Sequence, residues 1–320
     1  MKICLVTPAP AYSKKGNRVT ALRWQEILRG LGNKVTVSQK YESGDFDLLI
    51  AIHAFRSYSS VRDFTCKFPG RPVVVALAGT DIYDKIHTEP KTIECLEDAT
   101  VIVALQHMAI RELPARLRKK AVVIHQSALA GNQKVMPLKN SFEVSLLCHL
   151  REVKGPFLAA RAARLLPDSS LIRITHVGEA LSASMKKQAI KEAADNPRYR
   201  WLGEVSPGNA RRLLKRSRLL VVSSKLEGGA NVVSEALVCS VPVLSTRISG
   251  SIGMLGEDYA GYFPVGNHRA LYKLLTRAES DGSFYRMLKK QCAARALLFR
   301  PEEEKKSWKG LLGKLFSNRR

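Results

Sequence analysis

The chain has 320 residues, about twice a typical domain, so length alone leads us to expect two domains. Its 45% hydrophobic and 25% charged residues are those of a folded globular protein and exclude a disordered or fibrous chain. The formal charge of +24 is spread over both halves, with 21 Lys/Arg against 12 Asp/Glu in residues 1–140 and 31 against 16 in 141–320. It therefore favours anionic partners without choosing among nucleic acid, a membrane surface and small phosphorylated molecules.

In chain order, Ile3–Thr7 is a short apolar strand closed by Pro8 and Pro10. Val19, Leu22, Ile27, Leu28 and Leu31 mark one face of a helix over Val19–Leu31, which Gly32 and Asn33 end. Lys34–Ser38, Leu48–Ile52, Val73–Leu77, Val101–Leu105 and Val122–Ile124 read as further strands. The pattern restarts after the polar stretch Gly131–Ser141 with strands at Phe142–Cys148, Ile172–Val177, Tyr199–Leu202, Leu219–Ser223 and Pro242–Ser245. Helical patterns alternate with these over Pro156–Leu166, Ser182–Ala194, Asn209–Arg216 and Val232–Val238. Continuous apolar strands separated by helices imply parallel sheets covered on both faces, so the fold class is α/β with two Rossmann-like halves. The expected organisation is a first domain over 1–130, a linker over 131–141, a second domain over 142–300 and a tail over 301–320. In the tail, Trp308, Leu311, Leu312, Leu315 and Phe316 share one face of a short cationic amphipathic helix. That helix packs on the body or, as the alternative, touches a membrane surface.

Six cysteines, Cys4, Cys66, Cys95, Cys148, Cys239 and Cys292, show no paired spacing. They read as small hydrophobes in a reducing compartment rather than as a disulfide frame or zinc site. No signal peptide precedes the first strand and no apolar run has the length of a membrane span, so a cytoplasmic location is expected.

The strongest chemical signal is Glu227-Gly-Gly-Ala-Asn-Val-Val-Ser-Glu235, between a strand and a helix. Gly228 and Gly229 allow close backbone approach, and their N–H groups open a helix whose free amides suit a diphosphate, with Ala230 and Asn231 beside them as further donor-binding residues. Glu227 and Glu235 would be repelled by a diphosphate, so they are better placed to accept hydrogen bonds from hydroxyls. The plain alternative is a surface loop whose acidic residue faces the helix dipole. A second constellation, His149-Leu-Arg151-Glu-Val-Lys154-Gly155, sets two cations on the same sheet edge, where they can meet charge on a departing diphosphate. Its alternative is a solvated basic loop.

With Trp201-Leu202-Gly203 and Ser240–Ser245 added, these motifs resemble the large retaining family of GT-B glycosyltransferases over most of residues 143–265. The resemblance implies that Glu227 binds the transferred sugar and Glu235 the ribose. It also implies that Arg151 and Lys154 hold the diphosphate, with Leu202 and Gly203 at the nucleobase. The spacing from Arg151 to Lys154 is shorter than in most members. Gly16-Asn-Arg-Val-Thr-Ala-Leu-Arg-Trp24 and Ala78-Gly-Thr-Asp-Ile-Tyr83 are similar to the bacterial selenosugar synthase branch of selenoneine biosynthesis. Such a branch joins selenophosphate to the sugar of a UDP-sugar and releases UDP and phosphate. On this reading Lys15, Gly16, Asn17, Arg18, Arg23, Thr80 and Asp81 form the acceptor site, since a small anion suits a basic nest. His176, at a strand end, faces the donor. The family's usual histidine after Val73–Leu77 is replaced by Gly79-Thr80-Asp81.

The alternative is a GT-B hexosyltransferase with a lipid or oligosaccharide hydroxyl as acceptor. No cofactor, metal, nucleic acid or protein partner is expected. Asp45-Phe-Asp47 matches a D-x-D string but reads as a turn, the histidines are too dispersed for a metal cluster, and no G-x-G-x-x-G follows the first strand.

Overall fold

The computed structural model describes residues 1–13, 16–131 and 135–317. The chain divides into two compact units: Ala128–Arg300, and Met1–Ser127 joined by the returning helix Pro301–Ser317. Residues 135–141, the described part of the expected linker after Gly131, thus belong with the second unit.

The first unit is built on β1 (Lys2–Val6), β2 (Lys34–Ser38), β3 (Leu48–Ile52), β4 (Val73–Ala76), β5 (Val101–Ala104) and β6 (Ala121–Val123). They form one sheet in the order β2-β1-β3-β4-β5-β6, with each pairing parallel. Every residue of β3 and β4 is buried, as a sheet covered on both faces requires. The two-residue period sorts their side chains. Ile3, Leu5, Leu48, Ile50 and Val74 join one core cluster, while Cys4, Val6, Leu49, Ala51, Val73 and Val75 join the other.

The first face is closed by the helices Gly16–Arg29 and Pro301–Ser317. Trp24 and Trp308 are fully buried and meet edge to face with ring centroids 4.9 Å apart. Beside them Glu304, 1% exposed, accepts from Trp24 Nε1 at 2.7 Å, from the Ser127 amide at 2.8 Å and from the Ser127 hydroxyl. A carboxylate so deep is tolerable only because these donors and the Arg23 guanidinium, 3.2 Å away, meet its charge. The alternative of a membrane-touching tail is corrected here: Trp308, Leu311 and Leu312 are core residues of the first unit.

The second unit carries β7 (Phe142–Leu147), β8 (Ile172–Val177), β9 (Tyr199–Trp201), β10 (Leu219–Val222), β11 (Val243–Thr246) and β12 (Tyr262–Phe263). Their order is β12-β11-β10-β7-β8-β9, again with parallel pairings. Helices Leu158–Ala163, Asn231–Val238, His268–Ser280 and Gly282–Ala296 supply Leu158, Val233, Leu271 and Leu288 to its core.

Candidate functional site

Open parallel sheets bind ligands beyond the carboxyl ends of their strands, where neighbouring connections leave in opposite directions. In the second unit β7 and β10 lie side by side, and their ends lead into the two motifs singled out in the sequence.

From β7 the chain passes Arg151 in extended conformation into a 3-10 turn, Glu152–Lys154, and then Gly155 at φ 56. A Cβ on Gly155 would stand 2.5 Å from the Ser223 carbonyl oxygen, so only glycine lets this turn lie against the end of β10. The Ser223 hydroxyl, 2.9 Å from the carbonyls of Lys154 and Gly155, and the Lys225 amide, 2.7 Å from the Val153 carbonyl, tie the two loops together.

Lys154 Nζ lies 2.5 Å from Glu227 Oε1, and the Ser224 hydroxyl donates to the same oxygen at 2.5 Å. The Glu227 side chain is 11% exposed and that of Lys154 26%, so the pair is poorly screened by water. A cavity of about 20 Å³, lined by Lys154, Ser223, Ser224, Glu227 and Val232, opens beside it and has room for about one water. Gly228 and Gly229 lead to Ala230, and no side chain caps the helix Asn231–Val238 that follows. Glu235 is half-buried on that helix. Arg151 is exposed, while Lys225 pairs with Glu152 at 2.9 Å.

Three supports escaped the sequence reading. Ser224 precedes Glu227 by one turn of loop, Thr246 Oγ1 donates to the Ser224 carbonyl at 2.6 Å, and Gly250 lies under the Glu227 backbone. A Cβ on Gly250 would come within 2.0 Å of the Glu227 carbonyl oxygen. Only the Ser-Ser dipeptide before the glycine turn offered a signal, since hydroxyl residues there suit turns.

Leu202 is 42% exposed and, with Gly203 at φ 68, sits past the end of β9. His176 is placed differently from expectation. It is fully buried, Nδ1 bonds the Tyr199 hydroxyl at 2.8 Å and Nε2 the Cys148 carbonyl at 2.9 Å. With both nitrogens engaged it cannot face a donor; it pins β8 to its neighbours. Burial pushes its pKa down to about 4, so it stays neutral, and burial raises the Cys148 thiol to about 12.

In the first unit the sequence-derived acceptor residues separate into groups. Lys15 lies outside the described residues. Gly16 and Asn17 open the first helix, where the Thr7 hydroxyl donates to the Asn17 carbonyl at 3.4 Å. Arg18 Nε is buried without a hydrogen-bond partner among the described residues. Arg23 is turned away, against Glu304, so its expected acceptor role is corrected. Thr80 is exposed, with Oγ1 2.9 Å from His53 Nε2. Asp81 is fully buried and accepts the amides of Ala54, Ala78, Gly79 and Ile82 at 2.8–3.1 Å, which makes it a loop anchor rather than a ligand contact.

Residues 134–295 match the family model "Glycosyl transferases group 1". Among curated proteins the chain is similar to glycosyltransferase 1 domain-containing protein 1 of Xenopus tropicalis, 24% identical over 82% of this chain and 83% of that protein. Among solved structures it superposes on a sucrose-phosphate synthase from Thermosynechococcus elongatus with a TM-score of 0.82, at 15% identity and 99% of each chain. It also superposes on Anabaena HepE in complex with UDP-glucose with a TM-score of 0.78, at 14% identity over 98% of this chain and 100% of that one. These likenesses and the two six-stranded parallel sheets make the fold GT-B.

Proposed function

The chain belongs to the glycosyl transferases group 1 family, and from that premise we propose that it is a selenosugar synthase. It transfers the sugar of a UDP-sugar, UDP-GlcNAc for preference, to selenophosphate. A selenium lone pair forms the C–Se bond as the anomeric C–O bond breaks, and the diphosphate leaves with that electron pair. One water then hydrolyses the Se–P bond, so that UDP and phosphate are released.

Donor chemistry falls to the second unit. Lys154 and Arg151, with the helix N-terminus at Asn231, meet the charge that builds on the diphosphate. Glu227, held by Ser224 beside Lys154, accepts from hydroxyls of the transferred sugar, and Glu235 from those of the ribose. Leu202 offers an apolar surface to the base at Gly203. Lys154 and Glu227 hold each other at 2.5 Å, so each exchanges that contact for one to the donor as the UDP-sugar binds, and Ser224 keeps the carboxylate in place meanwhile. Selenophosphate is already a strong, anionic nucleophile and needs donors rather than a general base.

The observation that carries the acceptor assignment is Arg18, whose buried Nε–H at the opening of the first helix has no partner among the described residues. An unmet buried donor costs free energy that an oxyanion there would relieve. Incubation with UDP-GlcNAc, with and without selenophosphate, followed by mass spectrometry tests the reading. A seleno-sugar with UDP and phosphate is the expected product. Transfer to a hydroxyl acceptor without selenophosphate would establish the hexosyltransferase reading instead.

A further inference from the structure

We propose that His53 is a positioning residue that fixes the Thr80 hydroxyl as a hydrogen-bond donor to a phosphate-type oxyanion at the ligand edge of the first sheet. This rests on the acceptor reading above and adds to it a residue that neither motif nor spacing indicated.

The connection after β1 leads to β2 on one side, while β3 pairs with β1 on the other, so the reversal point of the first sheet lies between β1 and β3. His53 directly follows β3, Thr80 lies in the loop after β4, and Arg18 opens the helix after β1. Three successive strands of the sheet therefore deliver these residues to one edge. His53 has φ 76, a conformation uncommon outside glycine, though histidine is among the residues that tolerate it. Backbone held in such a region persists where the surroundings over-determine it, and functional sites collect it.

The hydrogen bonds assign the tautomer. The Arg56 amide donates to His53 Nδ1 at 3.4 Å, while Asp81 Oδ2 lies 3.8 Å from that nitrogen, beyond hydrogen-bond distance, so Nδ1 is taken as the lone-pair nitrogen. Burial disfavours the charged ring against the pull of Asp81, and the neutral ring then carries its proton on Nε2. That N–H donates to Thr80 Oγ1 at 2.9 Å. With one lone pair of Thr80 occupied, its own proton has no acceptor among the described residues, and the side chain is exposed. The result is an O–H aimed by a buried ring.

Asp81, next in sequence, would repel an anion if it were free. Its carboxylate is instead fully buried and accepts four backbone amides, so the edge presents donors. A neutral hydroxyl acceptor would call for a base at this position. A pre-ionised oxyanion calls for what is present: the Thr80 O–H and the Arg18 Nε–H, which has no partner among the described residues.

Inorganic phosphate serves as the probe, titrated calorimetrically into the full chain with UDP present to occupy any nucleotide site. Thr80→Val keeps the shape and removes the O–H, and Thr80→Ser restores it. His53→Gln places an amide N–H at the position of Nε2, and His53→Leu removes it. Thr80→Val and His53→Leu should each weaken phosphate by about tenfold or more, the scale of one hydrogen bond to a charged group. Thr80→Ser should stay within about twofold of wild type and His53→Gln should recover much of the loss. In turnover, the same variants should raise the KM for selenophosphate with kcat and UDP affinity little changed, a split that a merely structural role would not produce. Should His53→Leu fail to fold in a thermal melt, the Thr80 pair decides alone. Phosphate binding that is equal in wild type and Thr80→Val, equally weak in Thr80→Ser, or absent from wild type overturns the proposal. A wild type that binds phosphate through Thr80 yet forms no seleno-sugar would instead overturn the proposed function alone.

Discussion

The ligand edges of the two sheets solve opposite problems. In the second unit the charged side chains satisfy one another before any ligand is present: Lys154, Glu227 and Ser224 form a closed cluster beside a cavity of about 20 Å³. In the first unit they do not. Among the described residues Arg18 Nε is buried without a partner, the Thr80 hydroxyl bonds the His53 ring, and the Asp81 carboxylate accepts backbone amides. A site built around an internal ion pair holds its geometry when empty, at the cost of exchanging that pair for ligand contacts. On the acceptor reading, a set of donors without protein partners suits an anion, whose oxygens accept more strongly than those of a neutral group.

The comparison can be broken first at its foundation. Deletion of Pro301–Arg320 should unfold the first unit, because it removes Trp308, Leu311, Leu312 and the carboxylate that Trp24 and Ser127 bond. Loss of one buried Trp alone is expected to cost about 3–5 kcal/mol. Retention of a cooperative melt and full activity by the truncated chain would show that the helix only decorates the sheet.

Lys154→Ala comes next. It should lower kcat by about a hundredfold or more, since a preorganised contact to developing charge contributes on the order of 3–4 kcal/mol, and it leaves Glu227 without its cation. A change confined to the KM for the UDP-sugar would mean that Lys154 binds substrate and transition state alike.

Arg18→Ala and Arg23→Ala sharpen the acceptor side by their difference. The first should raise the KM for selenophosphate about ten- to a hundredfold with UDP-sugar affinity unchanged, as expected for a charge-assisted contact. Arg23→Ala should leave that KM alone and lower the thermal midpoint, because its partner is the buried Glu304. Equal kinetic effects from the two arginines would dissolve the distinction. Glu235→Ala should weaken UDP binding by about tenfold or less, the loss of a ground-state hydroxyl contact. An acceptor-side effect instead would overturn the ribose assignment.

The smallest effect expected is none: activity should survive EDTA. Asp45 is engaged by Arg71 at 2.6 Å and Asp47 by the Lys2 amide at 2.7 Å, so the D-x-D string closes a turn. Loss of activity restored by manganese would revive a metal reading there.

Much of this protein was legible in one dimension. Continuous apolar runs such as Leu48–Ile52 can be buried on both faces only in a parallel sheet, so hydrophobic periodicity determined strands and fold class. The Lys154-Gly155 turn was visible because local backbone geometry limits which residue can stand at Gly155, and the Gly228-Gly229 pair because consecutive glycines mark a turn. Only the tertiary structure decided the partners. Whether Trp308 meets water, a membrane or Trp24, whether Arg23 serves an anion or Glu304, and whether His176 faces a ligand or spans Tyr199 and Cys148 depend on segments as far apart in sequence as residues 24 and 308. A side chain's chemistry is written in its residue type, but its role is set by whichever donor or acceptor the fold brings within about 3 Å of it, and sequence spacing does not encode that distance.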